Sequence, residues 1–274
     1  MTKTIITAIL FLIIFCSCRA PRYVYSASVP NIPYFKGKGD SKLATYYSSN
    51  YGDNTDRREN KEVDIQTAYA ISDHWALTSS FLSKREADEY DGTYYNNIFS
   101  KSSVKYKRNF TDIGTGYFTA LEKANKVTFN LYSGLGFGKF HIYDNGVDDS
   151  GITYNRYYQS NIFKWYLQSG VNFMPSKYLS FSFIQLFSWA YFFNVKTSYT
   201  QAEQSYFYLD RVLHSGYFIY EPSTNIEVGF PKCNWIKLEG DLSFALLLQG
   251  DPNSRTVISS IGLVFDPLKL KKHK

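Results

Sequence analysis

Residues 234 to 249, NWIKLEGDLSFALLLQ, alternate apolar and polar side chains along the whole stretch. Successive side chains of a β-strand point to opposite faces, so a strand here has one apolar face and one face with three charges. A core strand of a soluble sandwich does not carry such a charged face over this length. The same alternation recurs in the segments 62–71, 127–137 and 161–173.

Segments of this kind recur along most of the chain. The predicted strands are 41–51, 61–71, 75–85, 106–121, 126–143, 158–174, 178–196, 215–230, 235–249 and 255–266. Short connections are predicted at 72–74, 122–125, 175–177 and 231–234, and long connections at 86–105, 144–157 and 197–214. Outer-membrane barrels alternate in this way between periplasmic turns and extracellular loops. We therefore predict an all-β, antiparallel, up-and-down transmembrane β-barrel of about ten strands, with both termini in the periplasm.

The composition suits a barrel in lipid. Aromatic residues make up 19% of the chain, with 25 Tyr and 22 Phe, whereas charged residues make up 20%. Aromatic girdles lie at both membrane interfaces of such barrels, and closure is required because backbone groups in the bilayer must pair without water. The net charge of +6 is scattered except in the final KLKKHK, a pattern that predicts no nucleic-acid partner.

The N-terminus has the layout of a bacterial export signal, with Lys3 before an apolar run of 12 residues at 4–15. A spanning helix needs roughly 20 apolar residues, so we predict residues 1–17 to be a signal peptide. The stretch FCSC resembles the lipobox of bacterial lipoproteins, which implies that Cys18 becomes the acylated first residue. Cleavage nearby without lipid is the alternative. In the lipidated chain Cys233 alone would remain as a thiol, so no intramolecular disulfide is expected.

Residues 18–40 form a predicted lipidated periplasmic arm, because three prolines and cations unbalanced by acids until Asp40 favour an extended segment. One interpretation is an arm that enters the barrel or docks on a partner through its aromatic side chains. Those side chains are Tyr23, Tyr25, Tyr34 and Phe35. The other interpretation, which we favour, is a plain linker. The barrel then covers 41–267, followed by a basic periplasmic tail at 268–274.

Charged side chains fall on the polar faces of several predicted strands and therefore in the lumen. They are Glu62, Asp64, Lys164, Glu221, Glu227, Lys237, Glu239 and Asp241. The lumen of a ten-stranded barrel is narrow, so we expect Tyr132 and Tyr166 to fill much of it. The charges should pair across strands, because an unpaired buried charge is costly. We favour this plugged interior over a small polar conduit.

Candidate chemistry is sparse. His141 and His214 lie near predicted extracellular strand ends, yet the paired aspartates and the Asp-x-His spacing of ten-stranded outer-membrane proteases are missing. The acidic stretch DNGVDD from Asp144 lacks the spacing of a calcium loop and predicts a solvated loop. We read the glycines at 134, 136 and 138 as the inner face of a strand, where bulky neighbours need room. We predict no metal, no cofactor and no enzymatic activity.

The whole mature chain resembles the outer-membrane β-barrel lipoproteins of Bacteroidota-type bacteria. The resemblance rests on CRAPRYVYS after the leader, on GKGDSKLATYYSSNYG entering the first strand, and on the aromatic strands that follow. It implies a bacterial outer-membrane location rather than a chemistry. We expect contact with outer-membrane lipids, a lipid anchor on the periplasmic side, and a non-catalytic scaffold or accessory role in an envelope protein complex. A passive channel for polar solutes and a surface hydrolase are the alternatives.

Overall fold

The computed structural model describes residues 22–51, 57–91, 99–122, 124, 126–148, 150–213, 216–249 and 254–268. The predicted signal peptide, Cys18, His214 and most of the basic tail lie outside these residues. The strands are β1 (Tyr25–Ser26), β2 (Ser41–Tyr51), β3 (Arg57–Ala70), β4 (Trp75–Asp91), β5 (Phe99–Ala120), β6 (Val127–Asp148), β7 (Thr153–Ser176), β8 (Leu179–Thr197), β9 (Tyr217–Phe230), β10 (Cys233–Phe244), β11 (Leu246–Gln249), β12 (Ser254–Arg255) and β13 (Val257–Phe265). Among the described residues, no helix is long and apolar enough to cross a lipid bilayer.

The strands form a closed antiparallel barrel. Consecutive strands from β2 to β9 pair with one another, β10 and β11 both pair with β9, and β13 pairs with β10 and β2. Because β10 and β11 continue one another across Ala245, the wall has ten strands, as the sequence predicts. The register places Leu263 opposite both Leu238 and Thr45, so the last strand seals the ring.

Side chains alternate between a buried interior and an exposed outer wall. From Tyr158 to Asn172 on β7 and from Ser180 to Phe192 on β8, every second residue is buried. Large apolar side chains such as Trp165, Phe183 and Trp189 are exposed on the other face. A wall that exposes so many large apolar side chains is stable in lipid rather than in water. The apolar belt begins near the short connections and, on β6, ends at Phe137.

The two ends of the barrel differ. We name the end with the short connections at 71–74, 121–126, 177–178 and 231–232 the turn side, and the opposite end the loop side. Most of the predicted long connections 86–105 and 144–157 are strand in the structure, which corrects that prediction. Beyond the apolar belt the outward faces of β5, β6 and β7 are mostly polar, whereas the inward faces keep buried side chains such as Tyr106, Phe140 and Ile142. The alternation that marks a lipid-facing strand therefore ends although backbone pairing continues.

The remaining long connection folds over the loop side of the lumen. It contains α1 (Gln201–Tyr206) and a 3-10 helix (Asp210–Leu213). Thr200 caps α1 through a capping box with Glu203, which satisfies backbone donors at the helix start. Phe207, Leu209 and Val212 are buried against the upper lumen. The connection therefore closes the barrel from above.

Candidate functional site

The N-terminal arm, residues 22–40, runs through the lumen from the loop side to the turn side. Arg22 contacts Asp144 and Ser102, which lie near the loop-side ends of β6 and β5. The backbone N–H of Lys38 donates to Asp73 in a turn-side connection over 2.9 Å. The predictions of a plain linker and of a periplasmic tether are wrong for residues 22–35, because most of these side chains are buried inside the barrel.

Arg22 is fixed at the loop side by a buried ion pair. Its Nε and Nη2 donate to Asp144 Oδ2 at 3.0 and 2.8 Å, and its guanidinium lies 4.2 Å from the ring centroid of Phe207. Tyr199 Oη donates to the same carboxylate over 2.8 Å. Burial raises the pKa of the Tyr199 hydroxyl, which therefore stays a neutral donor. The closing connection and the arm thus share one acidic partner.

Arginines from the wall and from β12 surround the next part of the arm. Arg255 is paired with Asp88 at 2.5 Å and with Glu86 at 2.9 Å, and its guanidinium lies 4.2 Å from the ring centroid of Tyr23. Arg108 pairs with Glu86 and donates to the carbonyl of Tyr23 over 2.8 Å. Since β1 pairs in parallel with β12, the segment 254–255 also lies in the interior.

Polar side chains of the wall satisfy the backbone carbonyls of the arm. Gln66 Nε2 donates to the carbonyl of Val29 over 2.8 Å, and Lys42 Nζ donates to the carbonyl of Ile32 over 2.9 Å. Gln168 donates to the carbonyl of Asn31 over 3.1 Å. An extended segment without strand partners needs such donors, because buried backbone groups cost free energy when unpaired. The lumen is therefore built to hold this arm.

The turn side of the arm is held by aromatic and ionic contacts. Phe35 packs edge-on against Phe118 with ring centroids 5.6 Å apart, and Tyr34 hydrogen-bonds to Ser182. Lys237 lies 5.8 Å from the Tyr34 ring centroid and pairs with Glu227. The aromatic residues of the arm thus pack inside the barrel, which agrees with the interpretation of an arm that enters the barrel rather than one that docks on a partner.

All eight charges that the sequence places in the lumen lie on inward strand faces. Seven are buried and Lys237 is partly buried: Glu62, Asp64, Lys164, Glu221, Glu227, Lys237, Glu239 and Asp241. Tyr132 and Tyr166 are buried beside them, as expected. The structure pairs Glu62 with Lys84 at 2.6 Å and Glu239 with Lys42 at 3.4 Å, and Glu221 accepts from Tyr25 Oη over 3.0 Å.

Several interior charges were not predicted from the sequence. They are Arg22, Lys42, Lys84, Glu86, Asp88, Arg108, Asp112, Asp144 and Arg255. The stretch 82–90, LSKREADEY, does place Leu82, Lys84, Glu86, Asp88 and Tyr90 on one strand face. That spacing was the available signal. It was overlooked because the opposite face is polar as well.

The lumen is filled rather than open. Beside residues 24–31 of the arm, two voids measure about 20 Å³ and 40 Å³, which is room for a few water molecules at most. A larger pocket of about 270 Å³ lies at the turn-side end, next to Tyr34 and Lys36. The glycines of β6 contribute to this packing, because a Cβ on Gly136 would lie 2.2 Å from the ring of Phe110. Bulky neighbours thus occupy the space that these glycines leave.

The candidate catalytic and metal-binding residues are not brought together. His141 lies on the outer wall, whereas Asp144 points inward to Arg22. The stretch from Asp144 to Asp148 is strand rather than the predicted solvated loop. Over the part of the chain that the structure describes, no group of three His, Cys, Asp or Glu side chains is placed to hold a metal ion.

The closed ten-stranded wall, the outward apolar belt and the polar, packed interior define a transmembrane β-barrel of the outer-membrane class. No protein-family model matches the chain, and no curated protein matches it in sequence.

Among solved structures, the chain is similar to the translocator domain of the autotransporter NalP from Neisseria meningitidis, with a TM-score of 0.49 and 8% identity over 84% of this chain and 88% of that one. The outer membrane protease OmpT from Escherichia coli matches with a TM-score of 0.41 and 9% identity over 84% and 94% of the two chains. An outer membrane channel from Pseudomonas putida F1 matches with a TM-score of 0.34 and 13% identity over 90% and 99%.

Proposed function

We propose that the protein is a non-catalytic outer-membrane barrel lipoprotein, closed by its own arm, that serves as a scaffold or accessory subunit of an envelope complex. The observation that carries this proposal is the passage of residues 22–35 through the lumen, with Arg22 and Phe35 packed at its two ends. A lumen occupied in this way supports neither solute passage nor a water-filled active site. The surfaces left for contact are the loop side and the outer wall.

Single-channel recording in planar bilayers tests the closed lumen. Purified wild-type protein should show no discrete openings, because the arm is fixed by ion pairs inside a narrow barrel. Arg22→Glu places like charges beside Asp144 and should free the loop-side end of the arm, giving openings. Lys36→Glu makes the same change of charge at an exposed turn-side position and should stay silent. Discrete openings of the wild type would support a passive channel instead.

Lipidation of Cys18 is part of the same proposal. Cys18 lies four positions before Arg22 in the sequence, and four residues of extended chain span at most about 14 Å. The acylated residue would then lie at the loop side, in contrast to the periplasmic anchor expected from the sequence. Incorporation of labelled palmitate should be lost in Cys18→Ser while the barrel still assembles. Absence of label in the wild type would remove the lipid from the proposal.

Since the aromatic side chains of the arm are buried, contact with another envelope protein would use the loop-side connections or the residues before Arg22. Co-purification from native membranes after mild solubilisation should yield a stoichiometric partner. Recovery of the barrel alone, at several detergent strengths and after chemical cross-linking, would contradict the accessory role.

A further inference from the structure

A row of basic and amide side chains crosses the outer wall above the apolar belt. Lys107 on β5 is the cross-strand partner of His141 on β6, His141 of Gln159 on β7, and Gln159 of Lys196 on β8. Lys107, His141 and Gln159 each lie between two buried neighbours and therefore face outward, and Lys196 is itself exposed, next to the partly buried Val195. Lys139 lies two residues from His141 on the same face. Three ammonium groups are thus gathered on one patch of the wall.

The position of this row relative to the belt matches that of lipid headgroups. Phe137, Phe163 and Tyr191 are consecutive cross-strand partners on the outer face. Phe137 lies four residues below His141 on the same strand. At about 3.3 Å per residue, four residues of a strand span about 13 Å, and less along the membrane normal once the strand is tilted. The lysines therefore lie where an apolar belt gives way to polar headgroups.

A bulge in β8 opens a groove beside these lysines. Between Lys196, opposite Gln159, and Phe193, opposite Asn161, β8 has one more residue than β7. Asn194 there adopts a left-handed conformation with φ of 54°, as extra residues in bulges do. The groove has a volume of about 610 Å³ and is lined by Lys139, His141, Gln159, Asn161, Asn194 and Lys196.

The charge around the groove has one sign. No outward-facing side chain is acidic in the described segments 103–111, 137–147, 155–163 and 189–197. Glu203, in the nearby connection, is paired with Arg156. Lysine ammonium groups bind phosphate as compact point charges, and basic pockets on membrane proteins bind anionic lipid headgroups. Carboxamides such as those of Gln159, Asn161 and Asn194 can both donate to and accept from hydroxyl groups.

We propose that this groove binds a phosphorylated glycolipid of the loop-side membrane leaflet. The lysines take the phosphates, the carboxamides take sugar hydroxyls, and the acyl chains lie along Phe137, Phe163 and Tyr191. The site is on the outer wall and is independent of the arm, so it does not rest on the closed lumen or on the proposed accessory role.

Binding of defined lipids to the purified full chain in a neutral detergent tests the site. The probes are a synthetic glucosamine-disaccharide lipid with two phosphates, the same lipid without phosphates, and inorganic phosphate, with affinities measured by native mass spectrometry and fluorescence titration. The bisphosphorylated lipid should bind at least tenfold more tightly than the dephosphorylated one, and inorganic phosphate should not displace it at comparable concentrations. Equal binding of the two lipids, or displacement by phosphate alone, would overturn the proposal.

Charge-matched variants separate this groove from general attraction of anions. The triple variant Lys107→Gln, Lys139→Gln, Lys196→Gln should bind the bisphosphorylated lipid at least tenfold more weakly. The control triple Lys126→Gln, Lys177→Gln, Lys232→Gln removes the same charge from exposed turn-side positions and should bind as the wild type does. Equal weakening in both triples would contradict the site. Retention of the heat-modifiable, folded band on gels verifies that both triples assemble.

Discussion

At the scale of single residues, the arm completes a buried charge cluster at the loop side. Asp144 accepts hydrogen bonds from Arg22, Ser102 and Tyr199, so one carboxylate joins the arm, the wall and the closing connection. Breaking a buried ion pair by removing one partner leaves the other charge uncompensated, which costs more than the pair contributes while intact. The free energy of unfolding of the barrel therefore depends on the Asp144 carboxylate.

Asp144→Ala is expected to lower the free energy of unfolding by about 3–5 kcal/mol, measured by urea unfolding in lipid vesicles. Glu89→Ala removes an acid from an exposed outer-wall position and is the matched control, expected to change stability by less than about 0.5 kcal/mol. Equal effects of the two substitutions would show that Arg22 does not depend on Asp144.

A second residue-scale prediction concerns the inner face of β6. A Cβ on Gly136 would lie 2.2 Å from Phe110 Cζ, so Gly136→Ala should destabilise the barrel by roughly 1–3 kcal/mol through overpacking. Combining it with Phe110→Ala should cost less than the sum of the single changes, since the clash is removed. Gly240→Ala is the control, because no atom lies within 4 Å of its added Cβ. Additive costs in the double variant would contradict this packing.

At the scale of elements, the strands could be predicted from the sequence where they face lipid. Where they do not face lipid, the predicted strands are shorter than the observed ones. The turn-side bounds of β2, β4 and β8 fall within one residue of the prediction because side chains such as Leu43, Trp75 and Phe181 mark the belt. Residues 86–91 and 99–105 were assigned to a loop, since polar side chains occupy both faces there. Backbone hydrogen bonding, which carries no local sequence signature, extends these strands.

The bulge of β8 is an element-scale feature with its own consequence. Asn194 has a positive φ, which costs an ordinary L-residue roughly 1–2 kcal/mol and costs glycine little. Asn194→Val should therefore reduce stability by about that amount and weaken lipid binding in the groove, whereas Asn194→Gly should keep the stability. Urea unfolding and the lipid titration measure the two effects. Wild-type stability in Asn194→Val would contradict a strained bulge.

At the scale of the whole molecule, the path of the arm could not be predicted from local sequence patterns. Arg22 has no acidic neighbour in sequence, and its partner Asp144 lies 122 residues away. A proline-containing segment with an unbalanced cation has the sequence pattern of a linker. Only the folded barrel brings an acidic partner to Arg22. The eight lumen charges could be predicted from the sequence because each lies on a strand whose apolar and polar side chains alternate. The pairing of Glu62 with Lys84 and of Glu239 with Lys42, and the bonds to the carbonyls of the arm, become apparent only from the strand register.

The direction of the arm gives the whole-molecule prediction. With Arg22 at the loop side and Lys38 at the turn side, residues shortly before Arg22 should be reachable from the cell surface. In a Cys233→Ser background, Ala20→Cys should react with a membrane-impermeant maleimide on intact cells, as Asn155→Cys on the exposed loop-side wall should. Lys38→Cys should react only after the outer membrane is permeabilised. Protection of Ala20→Cys until permeabilisation, with Asn155→Cys labelled on intact cells, would contradict an arm whose N-terminal end emerges at the loop side, because residues shortly before Arg22 are too near it to return through a filled lumen.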